Sequence, residues 1–144
     1  MSSLIKSIVI VFFTTLIISC TNEDDFPNTY VNETIPITMP EYNNIYNNPW
    51  GYEYISGGLG GIIIVNDGFT ENGFIAYERA CTHEKNSTCI ISSEGGSSNN
   101  TILICNCCNS KFMIFDGSVN EGVANQALKR YYTYLNGGIL YITN

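Results

Sequence analysis

The residues best suited to chemistry in this 144-residue chain are one histidine and five of its six cysteines. Cys81-Thr82-His83 forms a Cys-x-His pair, Cys89 follows, and Cys105-Asn106-Cys107-Cys108 adds three closely spaced thiols. Each short spacing lets two side chains of one turn point the same way, so the two groups can converge on one metal centre. The pattern therefore predicts a metal or redox site on two loops.

The number of thiols leaves more than one pairing open. Without Cys20, which belongs to the leader described below, five cysteines remain, and an odd set cannot pair completely as disulfides. A metal site would use four side chains: Cys81, His83, Cys105 and Cys108. Cys89 and Cys107, one on each loop, would then be left to form a disulfide. The alternative is two disulfides, one remaining thiol and a solvent-facing His83, because exported bacterial domains carry plain disulfides.

The first 19 residues have the pattern of a bacterial export signal. A weakly basic start is followed by an apolar stretch over residues 8–18, about the length of a signal core and shorter than a typical transmembrane helix. Leu16-Ile17-Ile18-Ser19-Cys20 resembles a lipobox, which predicts that Cys20 is the lipid-modified N-terminus; the alternative is an uncleaved anchor. Both place the domain in the bacterial cell envelope, held to a membrane and facing the periplasm or the outer surface.

Composition limits the remaining possibilities. Thirteen Asp and Glu residues against six Lys and Arg give a net charge of −7, which excludes a typical nucleic-acid binder. Residues 20–40 are acidic and polar, and we expect them to form a tether that grades into a first edge strand; residues 41–144 are long enough for one domain. The single His83 leaves no Ser-His-Asp arrangement, so hydrolase chemistry is not expected.

Short apolar segments bounded by Gly, Asn or Asp recur along the domain and predict strands. They cover residues 61–65, 73–79, 101–105, 111–115, 131–135 and 139–143. Asn136-Gly137-Gly138 predicts a tight hairpin turn, because such turns need positive φ angles. At most a single helical turn is expected, around residues 41–46 or 123–128. The fold class predicted from these signals is a small antiparallel all-β domain.

Residues 57–144 resemble the Rieske iron–sulfur domains, whose signature is a Cys-x-His loop and a Cys-Pro-x-His-Gly-Ser-x-Phe loop, each after a strand. Cys81-Thr82-His83 matches the first loop, and Cys105-Asn106-Cys107-Cys108-Asn109-Ser110-Lys111-Phe112 matches the second. The later match consists of Phe115-Asp116-Gly117-Ser118-Val119, Gly122-Val123-Ala124, Leu128 and Tyr131. The resemblance implies a small antiparallel β domain with two metal-binding loops, and a disulfide between the loops for which Cys89 and Cys107 are the candidates.

The resemblance also implies a [2Fe–2S] cluster, with one iron on Cys81 and Cys105 and the other on His83 and Cys108. Cys108 stands where the family has its second His, and three Cys with one His form an equally good tetrahedral zinc set. The expected function is a membrane-tethered one-electron carrier or redox subunit with a redox protein partner, not a free-standing enzyme. The alternative is a cluster-free structural or binding lipoprotein stabilised by zinc or by disulfides.

Overall fold

The structure is a computed structural model that describes residues 26–69, 73–96 and 100–144. The expected leader at residues 1–19, the lipidation site Cys20 and the start of the tether lie outside the described residues. In the part of the chain that is described, no helix has both the length and the apolar character needed to cross a membrane.

Short strands dominate the described chain. The strands are β1 (Asn32–Ile35), β2 (Tyr52–Ile55), β3 (Ile62–Asn66), β4 (Phe74–Glu78), β5 (Ile91–Ser93), β6 (Ile102–Cys105), β7 (Lys111–Met113), β8 (Val119–Glu121), β9 (Arg130–Asn136) and β10 (Ile139–Thr143). The helical pieces are α1 (Asn43–Asn47) and single 3₁₀ turns at Pro40–Tyr42 and Glu94–Gly96. Strand β1 falls within residues 20–40, where we expected the tether to grade into an edge strand.

The strands form two antiparallel sheets. The larger sheet has the order β1-β10-β9-β4-β3-β2, and the smaller sheet has the order β5-β6-β7-β8. Strands β9 and β10 are joined through Gly137 and Gly138, whose φ angles of 57° and 80° are those a tight hairpin requires. The predicted all-β antiparallel fold class is confirmed.

The apolar run of β3 explains why the larger sheet has buried side chains on both faces. Ile63 and Val65 lie in the core between the two sheets, whereas Ile62 and Ile64 lie in a second core with residues of β1 and β10. Alternate residues of a strand point to opposite faces, so an uninterrupted apolar run requires cover on both sides.

The core between the sheets leads directly to the cysteines. Ile75 and Tyr77 of β4 pack there with Leu103 of β6, and Cys81 and Cys105 belong to the same core. The first loop, residues 81–90, follows β4 of the larger sheet, and the second loop, residues 106–110, follows β6 of the smaller sheet. Packing of one sheet on the other therefore brings the two loops together.

Candidate metal centre

Three thiols from the two loops converge in the structure. The Sγ atoms of Cys81, Cys105 and Cys108 all lie within 4.8 Å of one another. The Sγ atoms of Cys81 and Cys108 are 3.6 Å apart. Cys81 and Cys105 are buried and Cys108 is half-buried. Such a group of soft donors can hold a thiophilic metal. Its two buried thiols face the core, and the half-buried thiol of Cys108 is accessible to solvent.

A disulfide staples the two loops beside these thiols. Cys89 and Cys107 are bonded, with a Cα–Cα distance of 5.5 Å, and this is the pairing that the resemblance implies. Two backbone hydrogen bonds accompany it, the first within the first loop and the second between the two loops. The N–H of Cys81 donates to the carbonyl of Cys89 at 2.8 Å, and the N–H of Asn106 donates to the carbonyl of Ile90 at 3.2 Å. The relative position of the loops is therefore fixed covalently and by the backbone.

The turn after Cys81 directs backbone donors at its sulfur. The N–H of Lys85 donates to the carbonyl of Cys81 at 2.7 Å, which closes the turn. The N–H groups of His83 and Glu84 then donate to the Cys81 sulfur. Burial, followed by the hydrogen bond with Cys105, raises the pKa of the Cys81 thiol to about 12 despite these donors. Without a metal, Cys81 therefore stays protonated at neutral pH.

The second loop depends on a left-handed residue. Asn109 has a φ angle of 56°, a conformation that Asn adopts more readily than most residues, and it occupies the position of a family Gly. Its N–H donates to the carbonyl of Cys105 at 3.0 Å, and the N–H of Cys105 donates to the carbonyl of Ser110 at 2.9 Å. These bonds close the loop tightly enough to turn Cys108 back toward Cys105.

Ser110 connects the second loop to the segment that covers it. Its fully buried Oγ accepts the N–H groups of Val123 and Ala124, both at 3.0 Å, and lies 3.2 Å from the Sγ of Cys108. Because two backbone donors use the lone pairs of the oxygen, the hydroxyl proton is available to the Cys108 sulfur. One side chain thus positions the covering segment and bonds to a thiol of the site.

The environment of Cys108 favours its thiolate form. Burial raises the pKa of this thiol, but hydrogen bonds from the Ser110 hydroxyl and backbone N–H, and from the thiols of Cys105 and Cys81, outweigh that effect. The pKa of Cys108 consequently lies below its ordinary value. The pKa values of Cys108 and Cys81 are therefore shifted in opposite directions. Cys108, the more accessible of these two thiols, is also the more readily ionised.

His83 does not join the three thiols. Its side chain is exposed, and it is not among the residues whose donor atoms lie within 4.8 Å of one another. Its neighbour Thr82 is buried and donates from Oγ1 to the carbonyl of Gln126 at 2.8 Å. The loop is thus anchored on both sides of His83 while the imidazole remains at the surface.

A buried acidic side chain, which was not singled out from the sequence, fixes the backbone just before the first loop. Glu78 ends β4 and is 1% exposed. It accepts the N–H groups of Leu59, Gly60 and Ala80 at 2.7 to 2.8 Å, and the hydroxyl of Tyr131 at 2.7 Å. The signal available in the sequence was a single acidic residue at the end of an otherwise apolar strand, directly before the Cys-x-His pair.

Comparison with known proteins supports the fold. The sequence matches no family model and no curated protein. Among solved structures, the chain is similar to the cyanobacterial plasma membrane Rieske protein PetC3 from Synechocystis PCC 6803, with a TM-score of 0.51 and 23% identity over 64% of this chain and 85% of that chain. It also matches a complex of reduced oxygenase and oxidized ferredoxin in carbazole 1,9a-dioxygenase, with a TM-score of 0.48 and 18% identity over 67% of this chain and 82% of that chain. The similarity to PetC3 shows that the chain has a Rieske-like fold.

Proposed function

We propose that this protein is a membrane-tethered one-electron carrier that holds a [2Fe–2S] cluster between its two loops. The observation that carries the proposal is the convergence of Cys81, Cys105 and Cys108 from two different sheets. The donor set fits, because thiolates are the usual ligands of iron–sulfur clusters and a mixed Cys and His set is compatible with [2Fe–2S]. Cys81, Cys105 and Cys108 would hold the cluster, and the exposed His83 would have to turn toward them to be the fourth ligand. When bound, the group supplies reversible one-electron transfer.

The residues around the thiols suit this role. Cys81 and Cys105 are buried, so one side of the site excludes water, whereas Cys108 is half-buried and is the side that a partner can approach. When Cys108 is a thiolate, the Ser110 hydroxyl donates to its sulfur and so stabilises negative charge there. We propose that electrons pass between this side of the domain and a redox protein partner.

A single zinc ion is the second candidate, and a specific observation favours it. Tetrahedral zinc with Zn–S bonds of about 2.3 Å places its sulfur ligands roughly 3.8 Å apart. The Sγ atoms of Cys81 and Cys108 are 3.6 Å apart, close to that spacing. Three thiolates would fill three corners, with His83 or water at the fourth. In this case the metal would stabilise the loops and carry no electron.

Spectroscopy combined with metal and acid-labile sulfide analysis separates the two candidates. We expect protein isolated from its own cell envelope to be coloured and to contain two iron and two sulfide per chain. Replacing Cys81 and Cys105 with Ser should remove both, whereas replacing Ser92, an exposed hydroxyl near the second loop, should remove neither. One zinc per chain without sulfide or colour would overturn the electron-carrier proposal and support the structural role.

We also propose that Cys20 carries the lipid that tethers the domain in the cell envelope. The support is the lipobox pattern that ends at this residue. Cys20→Ala should release the protein from the membrane fraction or stall its processing, which fractionation and the mass of the mature N-terminus would report. Normal processing together with normal membrane association in Cys20→Ala would contradict the proposal.

A further inference from the structure

One face of the larger sheet presents tyrosines to solvent. Tyr132 and Tyr134 alternate along β9 and are 79% and 59% exposed. Tyr141 of β10 lies opposite Tyr134 in the antiparallel register, and the two ring centroids are 6.2 Å apart. Arg130 shares this face, because residues two apart on a strand point the same way. Together with Tyr30, described below, these residues are called the tyrosine face.

The smaller sheet covers only part of this side of the larger sheet. On β4 the equivalent residues are Ile75 and Tyr77, which are buried in the core between the sheets. Tyr77 lies directly opposite Arg130 in the register of β4 and β9, so both belong to the same side. The tyrosine face is therefore the uncovered continuation of the side on which the smaller sheet packs.

The chain enters the domain beside this face. The side-chain amide of Asn144, which follows β10, donates to Asn28 at 2.9 Å and to the carbonyl of Thr29 at 2.7 Å. Lys129, directly before β9, donates to Asn28 at 3.1 Å and lies 5.7 Å from the ring centroid of Phe26.

Tyr30 belongs to the same side of the sheet. Val31 is buried in the core with Ile35 of β1, so Tyr30 faces away from that core and is 80% exposed. Thr34 is four positions after Tyr30 and so points to the same side of an extended chain. Thr34 lies opposite Tyr141 in the register of β1 and β10. The first described residues of the expected tether therefore run along the edge of the tyrosine face.

The tether is too short to hold the domain far from a bilayer. Cys20 lies six positions before Phe26. Six residues span at most about 20 Å when fully extended. A lipid on Cys20 would consequently keep the side of the domain that Phe26 enters close to the lipid headgroups.

We propose that the tyrosine face docks on the lipid bilayer to which the protein is tethered. Tyrosine suits this position, because its ring is apolar while its hydroxyl bonds to water and headgroups. Arg130 adds a basic side chain to this face of an otherwise acidic chain, where it can meet lipid phosphates. This inference rests on the tether part of the proposed function and is independent of the metal.

The other face of the larger sheet supplies an internal control. Tyr46 of α1 is 48% exposed, and its carbonyl accepts a hydrogen bond from Asn66 at the end of β3. Ile45, next to Tyr46, is buried in the second core, so α1 lies on the face of the larger sheet opposite the tyrosine face. In water, Tyr30, Tyr132 and Tyr134 should react more than Tyr46, because each of them is more exposed.

Hydroxyl-radical footprinting of the full-length protein in vesicles tests the docking. The vesicles contain equal parts of phosphatidylcholine and phosphatidylglycerol, and tandem mass spectrometry reads each tyrosine separately. We expect the order to invert, with Tyr30, Tyr132 and Tyr134 labelled several-fold less than Tyr46. Replacing Tyr132 and Tyr134 with Ser should restore labelling of Tyr30, whereas Tyr46→Ser should not.

Two results would overturn the proposal in distinguishable ways. Vesicle-bound protein whose labelling follows solvent exposure, with Tyr30 and Tyr132 above Tyr46, rules out the docking and leaves the tether intact. Protein that does not sediment with the vesicles rules out the tether and the docking with it. Neither result bears on the metal centre, which the spectroscopic and metal analyses address separately.

Discussion

The Sγ atoms of Cys81 and Cys108 lie 3.6 Å apart, although the residues are 27 positions apart in the chain and follow strands of different sheets. No local turn could produce this contact. It depends on the packing of the two sheets and on the links between their loops, of which the disulfide at Cys107, one residue before Cys108, is the strongest. Changes to these links should therefore affect the site and the stability of the domain together.

The first prediction concerns that disulfide. Replacing Cys89 and Cys107 with Ala should lower the free energy of unfolding by roughly 3 kcal/mol, because the bond closes a loop of 18 residues in the unfolded chain. Urea unfolding measures the change. A reducing agent should destabilise the wild type and leave the double variant unaffected. Peptide mapping that found Cys81 bonded to Cys89 would contradict the prediction and support plain disulfides instead of a metal site.

The second prediction tests the Ser110 hydroxyl. Ser110→Ala leaves the N–H groups of Val123 and Ala124 without their acceptor, which should cost about 1–3 kcal/mol of unfolding free energy. Metal retention should fall as well, because Cys108 loses a hydrogen bond. The matched control is Ser92→Ala, which removes an exposed hydroxyl that bonds to Asn106 and should change stability by less than about 0.5 kcal/mol. Equal effects of the two substitutions would refute the assignment.

The third prediction concerns the close approach of the covering segment. A Cβ on Gly122, which has a φ angle of 107°, would lie 2.5 Å from the Cα of Ser110. Gly122→Ala should therefore push this segment off the second loop. Gly137→Ala is the control, because its φ angle is also positive at 57° but, apart from its chain neighbours, no described residue has an atom within 4 Å of an added Cβ. Thermal unfolding should show a clearly larger loss for Gly122→Ala, and similar losses would mean that backbone strain alone is responsible.

Several strands were predictable because their buried residues form apolar runs in the sequence. The isoleucine run predicted at residues 61–65 is β3, and the hairpin at Gly137 and Gly138 is where the Asn-Gly-Gly signal placed it. Strand β2 was not predicted, because all four of its residues are only half-buried and its pattern is not apolar. The strand predicted at residues 111–115 ends at Met113, because the N–H of Gly117 turns back to the carbonyl of Met113.

The cysteines of the candidate site stood out in the sequence, but their arrangement could not be predicted from it. Counting thiols on two loops indicated which cysteines could pair and which could bind metal. Whether a side chain faces the site depends on neighbours far away in the chain: Thr82 is anchored to Gln126, and His83 beside it is exposed. The same holds for Ser110, whose role depends on a segment that follows it by more than ten residues.

The fourth prediction gives a pH dependence away from the thiols. Burial, and then the hydrogen bond to Glu78, raise the pKa of Tyr131 well above its ordinary value of 10.0. A raised pKa means that the stabilisation is complete below pH 10 and is lost as the pH rises further, because only the unfolded state then releases the proton. Tyr131→Phe should cost about 1–3 kcal/mol at neutral pH.

The difference between Tyr131→Phe and the wild type should therefore shrink above pH 10. Urea unfolding at a series of pH values measures it. Tyr132→Phe, at the exposed neighbouring position, should match the wild type throughout. A difference for Tyr131→Phe that stayed constant with pH would show that the lost hydrogen bond is not coupled to ionisation of the phenol.

The fifth prediction concerns the potential of a [2Fe–2S] form. Centres with two His ligands have potentials of about −150 to +300 mV, against about −400 mV for plant-type four-Cys centres, because neutral His replaces thiolate. Cys108 in place of the second His adds one negative charge, which disfavours the more negative reduced state. We expect a potential between the two classes, and we expect Cys108→His to raise it and to add a second pH-dependent ionisation.

The control is Asn106→His, at an exposed position on the same loop, which should leave the potential unchanged. Protein-film voltammetry on variants of equal iron content decides the matter, and an unchanged or lower potential in cluster-loaded Cys108→His would mean that Cys108 is not a ligand.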